Sequence, residues 1–256
     1  MALSSSRQVR ITMATSGANQ RVTYSARIER IVEHAADVRS LFLRLPEATA
    51  LRFTPGQFIS LAIPLPNETR IRPYTLASNP EHDGLLEIVF NLVPGGAGSH
   101  YLFKREVGDE LTFTGPFGLF TLDRAPEVET IFAAEGTAIA PIRPMIRRTL
   151  SQPSAAPLRL FYAARSRAEL LYAAEFEAAA NQFAHFAFEP ILPHPPAAWN
   201  GRRGTLIEHL EALYVRADER RDRAFYLCGV GQAVIEQRDL LRKAGYARRA
   251  VLYERW

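Results

Sequence analysis

Arg72-Pro73-Tyr74-Thr75-Leu76-Ala77-Ser78, followed at residues 95–102 by Gly95-Gly96-Ala97-Gly98-Ser99-His100-Tyr101-Leu102, is the part of this 256-residue chain from which its fold is best read. The first run fits a strand, and the second opens on glycines and continues as a helix would. An arginine near a glycine-opened helix start offers two ways to hold a phosphate. One is the guanidinium fork, and the other is a row of free backbone N–H groups at the positive end of a helix dipole. A single diphosphate could bridge them. Tyr74 lies two residues from Arg72 and so on the same strand face, where it can receive an aromatic ring from a ligand whose phosphates touch the arginine. Thr75 adds a hydroxyl at the next position. The same residues also suit an ordinary strand with a half-buried tyrosine and a glycine-rich turn.

Outward from this stretch, residues 21–122 hold short runs rich in β-branched and aromatic residues, at 21–32, 38–45, 57–63, 72–78, 85–93 and 109–115. Turns such as Thr54-Pro55-Gly56 and Pro94-Gly95-Gly96 separate them. Six strands without long helices between them predict a small antiparallel β-barrel or sandwich. The one helix expected here covers 99–106 and closes at Gly108. After Pro126 the pattern becomes apolar strands alternating with helical stretches, which predicts an α/β domain with a parallel sheet covered on both faces. Strands are expected at 130–134, 158–163, 183–190, 224–228 and 249–252, and helices at 139–150, 167–181, 205–214 and 232–244. Such sheets bind ligands beyond the carboxyl ends of their strands.

Composition sets the limits. With 47% hydrophobic residues the chain can bury a sizeable core, and its length favours two domains over one. A collagenous or wholly disordered chain is excluded. Cys228 is the only cysteine, so this chain alone can build no internal disulfide, four-cysteine zinc site or cysteine-held iron–sulfur cluster. The net charge is +4, and of the 31 basic residues only Lys104 and Lys243 are lysines. Arginine suits bidentate phosphate contacts, so nucleotide cofactors and acidic proteins are the expected partners; no localised basic tract points to nucleic acid. No stretch approaches the roughly 18–20 apolar residues of a membrane span, and the polar opening lacks the apolar centre of a secretion signal, so a cytoplasmic protein is expected. The opening serines, with Gly17 and Asn19, suggest a flexible tail over residues 1–20, and Met13 could be the start of translation. The six histidines show no metal-ligand spacing such as HExxH, so no metal is expected, and no GxSxG marks a nucleophilic triad.

Four segments of the second half carry candidate chemistry. AAEGTAIAPIRPMI, 133–146, is a strand ending in a glycine turn before a helix, the geometry that seats a pyrophosphate, although Ala138 stands where GxGxxG has its second glycine. Arg165 and Arg167, in FYAARSRAEL, fall just past the next strand with no acid before Glu169; they suit a ribose 2′-phosphate or a solvated surface. FYLCGVG, 225–231, is another strand-end glycine turn, in which Cys228 has the character of a small buried hydrophobe. The closing YERW is either a frayed tail or, if the last strand carries it there, part of the crevice between domains.

In this order and spacing the segments resemble the ferredoxin–NADP reductase family, flavoenzymes with an FAD-binding barrel followed by a nicotinamide-nucleotide domain. The resemblance runs from about Arg21 to Trp256 and implies an FAD domain over 21–125 and an NAD(P) domain over 126–256. RPYT matches the family's Arg-x-Tyr-Ser/Thr motif. It implies that Arg72, Pro73, Tyr74 and Thr75 bind FAD, with Arg72 on phosphate, Tyr74 stacked on the isoalloxazine and Thr75 near flavin N5. Gly96, Ala97, Gly98 and Ser99 match its Gly-x-x-Ser motif and imply a backbone grip on the diphosphate. GPFG, 115–118, and PGQF, 55–58, match turns of the barrel. GTAIAP resembles Gly-Thr-Gly-Ile-Ala-Pro, which implies that Gly136, Thr137 and Ala138 hold the nicotinamide nucleotide; to these the reading of the strand end adds Arg165 and Arg167. CGVG resembles a Cys-Gly-Pro turn and puts Cys228 and Gly229 by the nicotinamide. The ending resembles the family's Glu-x-aromatic pattern, so Trp256 would cover the flavin face and Glu254 would lie beside the reacting rings. Thr75, Cys228, Glu254 and Trp256 are thus the expected catalytic residues.

What this implies is an FAD-dependent oxidoreductase that moves hydride between NAD(P)H and flavin, NADPH favoured and NADH possible, and passes single electrons to an acidic ferredoxin or flavodoxin. A monomer is expected. The alternatives are the reductase component of a multicomponent oxygenase, a free flavin reductase, or a non-catalytic FAD-binding sensor whose second site is spoiled by Glu135 and Ala138.

Overall fold

A computed structural model of the chain describes residues 22–47, 49–81 and 84–256; the tail expected over 1–20, and Met13 with it, lies outside the described residues. All six strands of the first half form. They are β1 (Thr23–Ala35), β2 (Val38–Arg44), β3 (Phe58–Pro64), β4 (Thr69–Thr75), β5 (Leu85–Asn91) and β6 (Glu110–Phe117). Every pairing among them is antiparallel, in the order β4-β3-β6-β1-β2-β5. Past Thr75 the chain leaves β3 and crosses to the other edge: Leu76 bridges Ile88, and the Ala77 N–H donates to the Glu87 carbonyl at 2.8 Å. That step closes the sheet into a barrel around Ile28, Leu41, Ile59, Leu61, Ile88 and Phe113. Helix α1 (Ala97–Phe103) starts two residues earlier than the sequence predicts, because the His100 N–H already donates to the Gly96 carbonyl at 3.1 Å.

The second half is a six-stranded, all-parallel sheet in the order β10-β9-β8-β7-β11-β12. Its strands are β7 (Thr130–Glu135), β8 (Leu158–Ala163), β9 (Phe186–Leu192), the two-residue β10 (Arg202–Arg203), β11 (Ala224–Gly229) and β12 (Val251–Arg255). Both faces are buried with a period of two. Phe132, Leu160, Tyr162 and Tyr226 face α2 (Ile139–Leu150) and α3 (Ala173–Gln182). Ile131, Phe161, Phe225 and Leu227 face α4 (Leu206–Glu211) and α5 (Ala233–Lys243). The chain runs from β7 outward through β8 and β9 and then returns to the other side of β7 with β11, so the strand order reverses between β7 and β11. Ligands of such sheets bind at that point.

Four elements depart from expectation. The helix predicted over 167–181 is interrupted: a 3₁₀ turn at Arg167–Glu169 precedes α3, and Tyr172 between them has φ +58°. Phe183 closes α3 through its N–H to Ala179, so β9 begins only at Phe186. The helix at 205–214 starts with a Thr205–Glu208 capping box but ends in a π-helical turn, Ala212–Arg216. The last strand lies further along than predicted, since its register on β11 pairs Cys228 with Glu254 and Gly229 with Arg255.

Helix α2 is buried almost all round because it lies between the two halves. Val38, Ala77, Val89 and Phe120 of the first half share one apolar cluster with Ile139, Ile142, Met145 and Ile146. Among the described residues no helix is long and apolar enough to cross a membrane.

Candidate active site

Barrel and sheet meet at a cavity of about 510 Å³. The barrel contributes Arg72, Pro73, Tyr74 and Thr75 from β4 and Gly96, Ala97, Gly98 and Ser99 from the start of α1. Thr137, Ala138, Val230 and Trp256 come from the sheet half. The two phosphate-holding devices therefore face one space. At Gly98 a Cβ atom would stand 2.9 Å from the Tyr74 hydroxyl and 3.1 Å from Arg72 Cγ, so only glycine lets α1 approach this close.

Several polar groups here have no use within the fold. Among the described residues, the N–H groups of Ala97, Gly98 and Ser99 meet no acceptor. The Ser99 hydroxyl is employed differently: it accepts from the Val93 N–H at 3.0 Å and donates to the Gly96 carbonyl at 3.1 Å, which holds the glycine turn in shape. Arg72 donates only to the neighbouring Ile71 carbonyl, and it has no carboxylate partner among the described residues. Thr75 is 6% exposed and its Oγ1 is buried without a hydrogen-bond partner. Such orphaned buried groups are uncommon and point to a ligand. Tyr74 packs edge-to-face on Phe90 at 5.6 Å, and burial pushes its phenol up to about 12 against the opposing pull of Arg72.

A second, smaller space of about 330 Å³ opens at the strand-order reversal, lined by Gly136, Thr137, Arg165 and Val230 together with Asp37, Glu135 and Glu169. Gly136 has φ +55° and open space where a side chain would stand. Its carbonyl accepts from the Tyr162 hydroxyl at 2.9 Å, and the same hydroxyl accepts from the Leu171 N–H at 3.1 Å. Asn91 of β5 and Thr137 line both spaces, joined by a 2.5 Å hydrogen bond across the junction.

Not every expected residue reaches a lining position. Arg167 borders neither space and faces Glu177 of α3 at 3.4 Å. Cys228 and Gly229 are buried and do not line the large cavity. Cys228 is 2% exposed, and burial, reinforced by the Glu254 carboxylate, holds its thiol far above the usual range, which favours the protonated thiol. Glu254 is also set back. Burial raises its carboxyl to about 7, and its Oε2 has no partner. Trp256 is not frayed: its N–H donates to the Gly229 carbonyl and its carbonyl accepts from Gly231, both at 3.1 Å, and its ring meets Phe58 edge-to-face at 6.4 Å.

Asn91, Asp37 and Val230 were not singled out by sequence. Asn91 ends an apolar strand just before the glycine turn, and Val230 sits inside CGVG, so position relative to the motifs was the only available signal.

The chain matches two family models, an oxidoreductase FAD-binding domain over residues 25–122 and an oxidoreductase NAD-binding domain over residues 132–237. It is 33% identical over 237 residues to ferredoxin–NADP reductase B of Sorangium cellulosum, a match covering 91% of this chain and 97% of that one. The chain belongs to the ferredoxin–NADP reductase family. As a member it is an oxidoreductase with an FAD-binding and an NAD(P)-binding domain, the barrel first and the parallel sheet second. It is also 28% identical over 223 residues to the glycine betaine monooxygenase reductase subunit of Pseudomonas aeruginosa, covering 86% of this chain but only 60% of that longer one. Its fold matches a crystal structure of a Neisseria gonorrhoeae ferredoxin NADP+ reductase with bound FAD and NADP at a TM-score of 0.75. That match has 22% identity and covers 91% of this family member and 98% of the other chain.

Proposed function

We propose that this protein takes hydride from NAD(P)H onto FAD and supplies single electrons to a separate acidic carrier, a ferredoxin or flavodoxin, acting as a cytoplasmic monomer. The observation that carries the reading is the single cavity into which RPYT, GAGS, the turn after β7 and the C-terminal tryptophan all open. Its unused donors fit FAD. Arg72 and the amides of Ala97, Gly98 and Ser99 would hold its diphosphate, and Thr75 Oγ1 would gain the partner that the fold withholds. Tyr74 and Trp256 provide aromatic surfaces from opposite halves of the molecule. When bound, FAD supplies the conversion of one hydride, a two-electron donor, into two one-electron deliveries.

The remaining steps belong to the chain. Gly136 and Thr137 line the crevice for the nicotinamide nucleotide, with Ala138 on the adjoining wall of the large cavity. Arg165, the arginine at the crevice border, is the group that can meet the 2′-phosphate of NADPH. Trp256, which lines the cavity, would cover bound flavin and would have to move aside to admit the nicotinamide. Glu254, with a carboxyl near 7, can hold or release a proton at Oε2 around neutral pH. Because Cys228 stays a thiol, its part is to pack behind that carboxyl.

The test is direct. Purified protein should be yellow or take up FAD on reconstitution, and NADPH should bleach it within seconds. A colourless protein that refuses FAD sinks the proposal; a yellow protein that NADPH and NADH both leave unbleached removes the hydride step. The likeness to an oxygenase reductase subunit supports a second reading, delivery to an oxygenase component, and rates with a ferredoxin against such a component separate the two.

A further inference from the structure

Arg165 is held from two sides. Its Nε donates to Glu169 Oε2 at 2.7 Å, four residues along the same turn, and one Nη lies 3.4 Å from Asp37 Oδ2. Asp37 belongs to the β1–β2 turn, so this second contact reaches from the barrel across to the nucleotide sheet. Glu135 also lines the crevice, whose lining therefore carries three carboxylates and one guanidinium, two of the carboxylates in contact with it. A ribose diol entering here finds acceptors for its hydroxyls. A 2′-phosphate finds net negative charge and must draw the arginine away from its carboxylates.

We infer that Asp37 is a specificity-determining residue that restrains Arg165 and thereby limits the preference of the crevice for a 2′-phosphorylated nucleotide. This rests on reading the crevice as the NAD(P) site. The backbone, not the carboxylate, places Asp37: its carbonyl accepts from the Leu92 N–H at 2.7 Å, next to the Asn91–Thr137 bridge. An asparagine there keeps the turn and removes the charge. Arg165 is 69% exposed and Asp37 41%, so the pair is weak enough for a phosphate to compete with it. Glu169 pulls in the same direction, but its hold is local to one turn.

Calorimetric titration of the flavin-loaded protein with 2′,5′-ADP and with 5′-AMP tests this. Asp37→Asn should bind 2′,5′-ADP about fivefold tighter, the scale of one exposed ion pair, and 5′-AMP within about twofold of the parent. Glu169→Gln should shift in the same sense. In an Arg165→Gln background the Asp37→Asn gain should shrink below about twofold. The NADPH to NADH ratio of kcat/KM should rise with the binding ratio. Equal shifts for both nucleotides, no shift for 2′,5′-ADP, or a gain that survives Arg165→Gln would overturn the inference. Should neither fragment bind the unsubstituted protein, the nucleotide-site reading falls first and takes this one with it. Parent protein that binds both fragments, combined with an inert Asp37→Asn, removes this inference alone.

Discussion

Replacing Arg143 with methionine should destabilise the protein by about 3–5 kcal/mol, the cost of leaving a buried charge without its partner. Arg143 sits in α2 with a side chain only 10% exposed. Its Nη1 donates to Glu87 at 2.7 Å and to the Ala77 carbonyl at 3.0 Å, and Nε and Nη2 each reach Glu175 at 2.9 Å. Its guanidinium lies 3.9 Å over the Tyr172 ring. Glu87, 5% exposed, is left by the substitution with only the Ser40 and Tyr172 hydroxyls, at 3.0 and 2.8 Å. Two neutral donors do not balance a buried carboxylate as an arginine does. At about 2–4 °C per kcal/mol for a chain of this size, Tm should fall by roughly 6–20 °C. The double replacement Glu87→Leu with Arg143→Met removes both charges and should recover much of the loss, which urea unfolding of the parent, the two single variants and the double variant would read as a coupling energy. Because α2 begins in the cavity wall, the single variant should also lose FAD faster. A loss below about 1 kcal/mol, or a double variant no better than Arg143→Met, would refute the view that this pair ties the halves together.

Three further outcomes are expected. Arg72→Ala should weaken FAD binding by about 10–100-fold, the scale of one charge-assisted contact, as ultrafiltration of the flavin would show; retention at parental affinity contradicts the assignment of that guanidinium. Truncation at Arg255, which removes Trp256, should tighten NADP+ binding by about 2–10-fold, the scale of one aromatic contact, and slow product release; unchanged affinity in a stopped-flow titration argues against a displaced ring. Burial favours the protonated Glu254 carboxyl in the folded state. The stability this contributes is therefore complete below pH 4.5 and is lost as pH rises through about 7, so urea midpoints should fall over that range more in the parent than in Glu254→Gln. Parallel curves would show that the carboxyl is not buried as described.

Legibility from sequence followed distance along the chain. RPYT and GAGS could be read because their chemistry is local: a strand face puts Arg72 and Tyr74 together, and a glycine-opened turn frees three amides. The parallel sheet could be read because its central strands are buried on both faces, which leaves continuous apolar runs such as residues 131–134 of β7. The last strand could not be placed by its own residues, since its register is dictated by pairing with β11, and only that pairing brings Glu254 behind the cavity and anchors Trp256. The tail explanation of YERW fails for that reason.

The contacts that join the halves were invisible for the same physical cause. Asn91 to Thr137 spans 46 residues, Glu87 to Arg143 spans 56, and Asp37 to Arg165 spans 128. No periodicity within a window encodes which carboxylate a given arginine will meet. Read locally, Arg165 and Arg167 are equivalent, two residues apart with no acid before Glu169. In the fold one borders the crevice under the hold of a barrel residue, and the other faces Glu177 away from it. Under the proposed nucleotide-site reading, phosphate selectivity at this crevice depends on the junction between the halves, and it should change with substitutions in the β1–β2 turn that leave every residue of the nucleotide sheet in place.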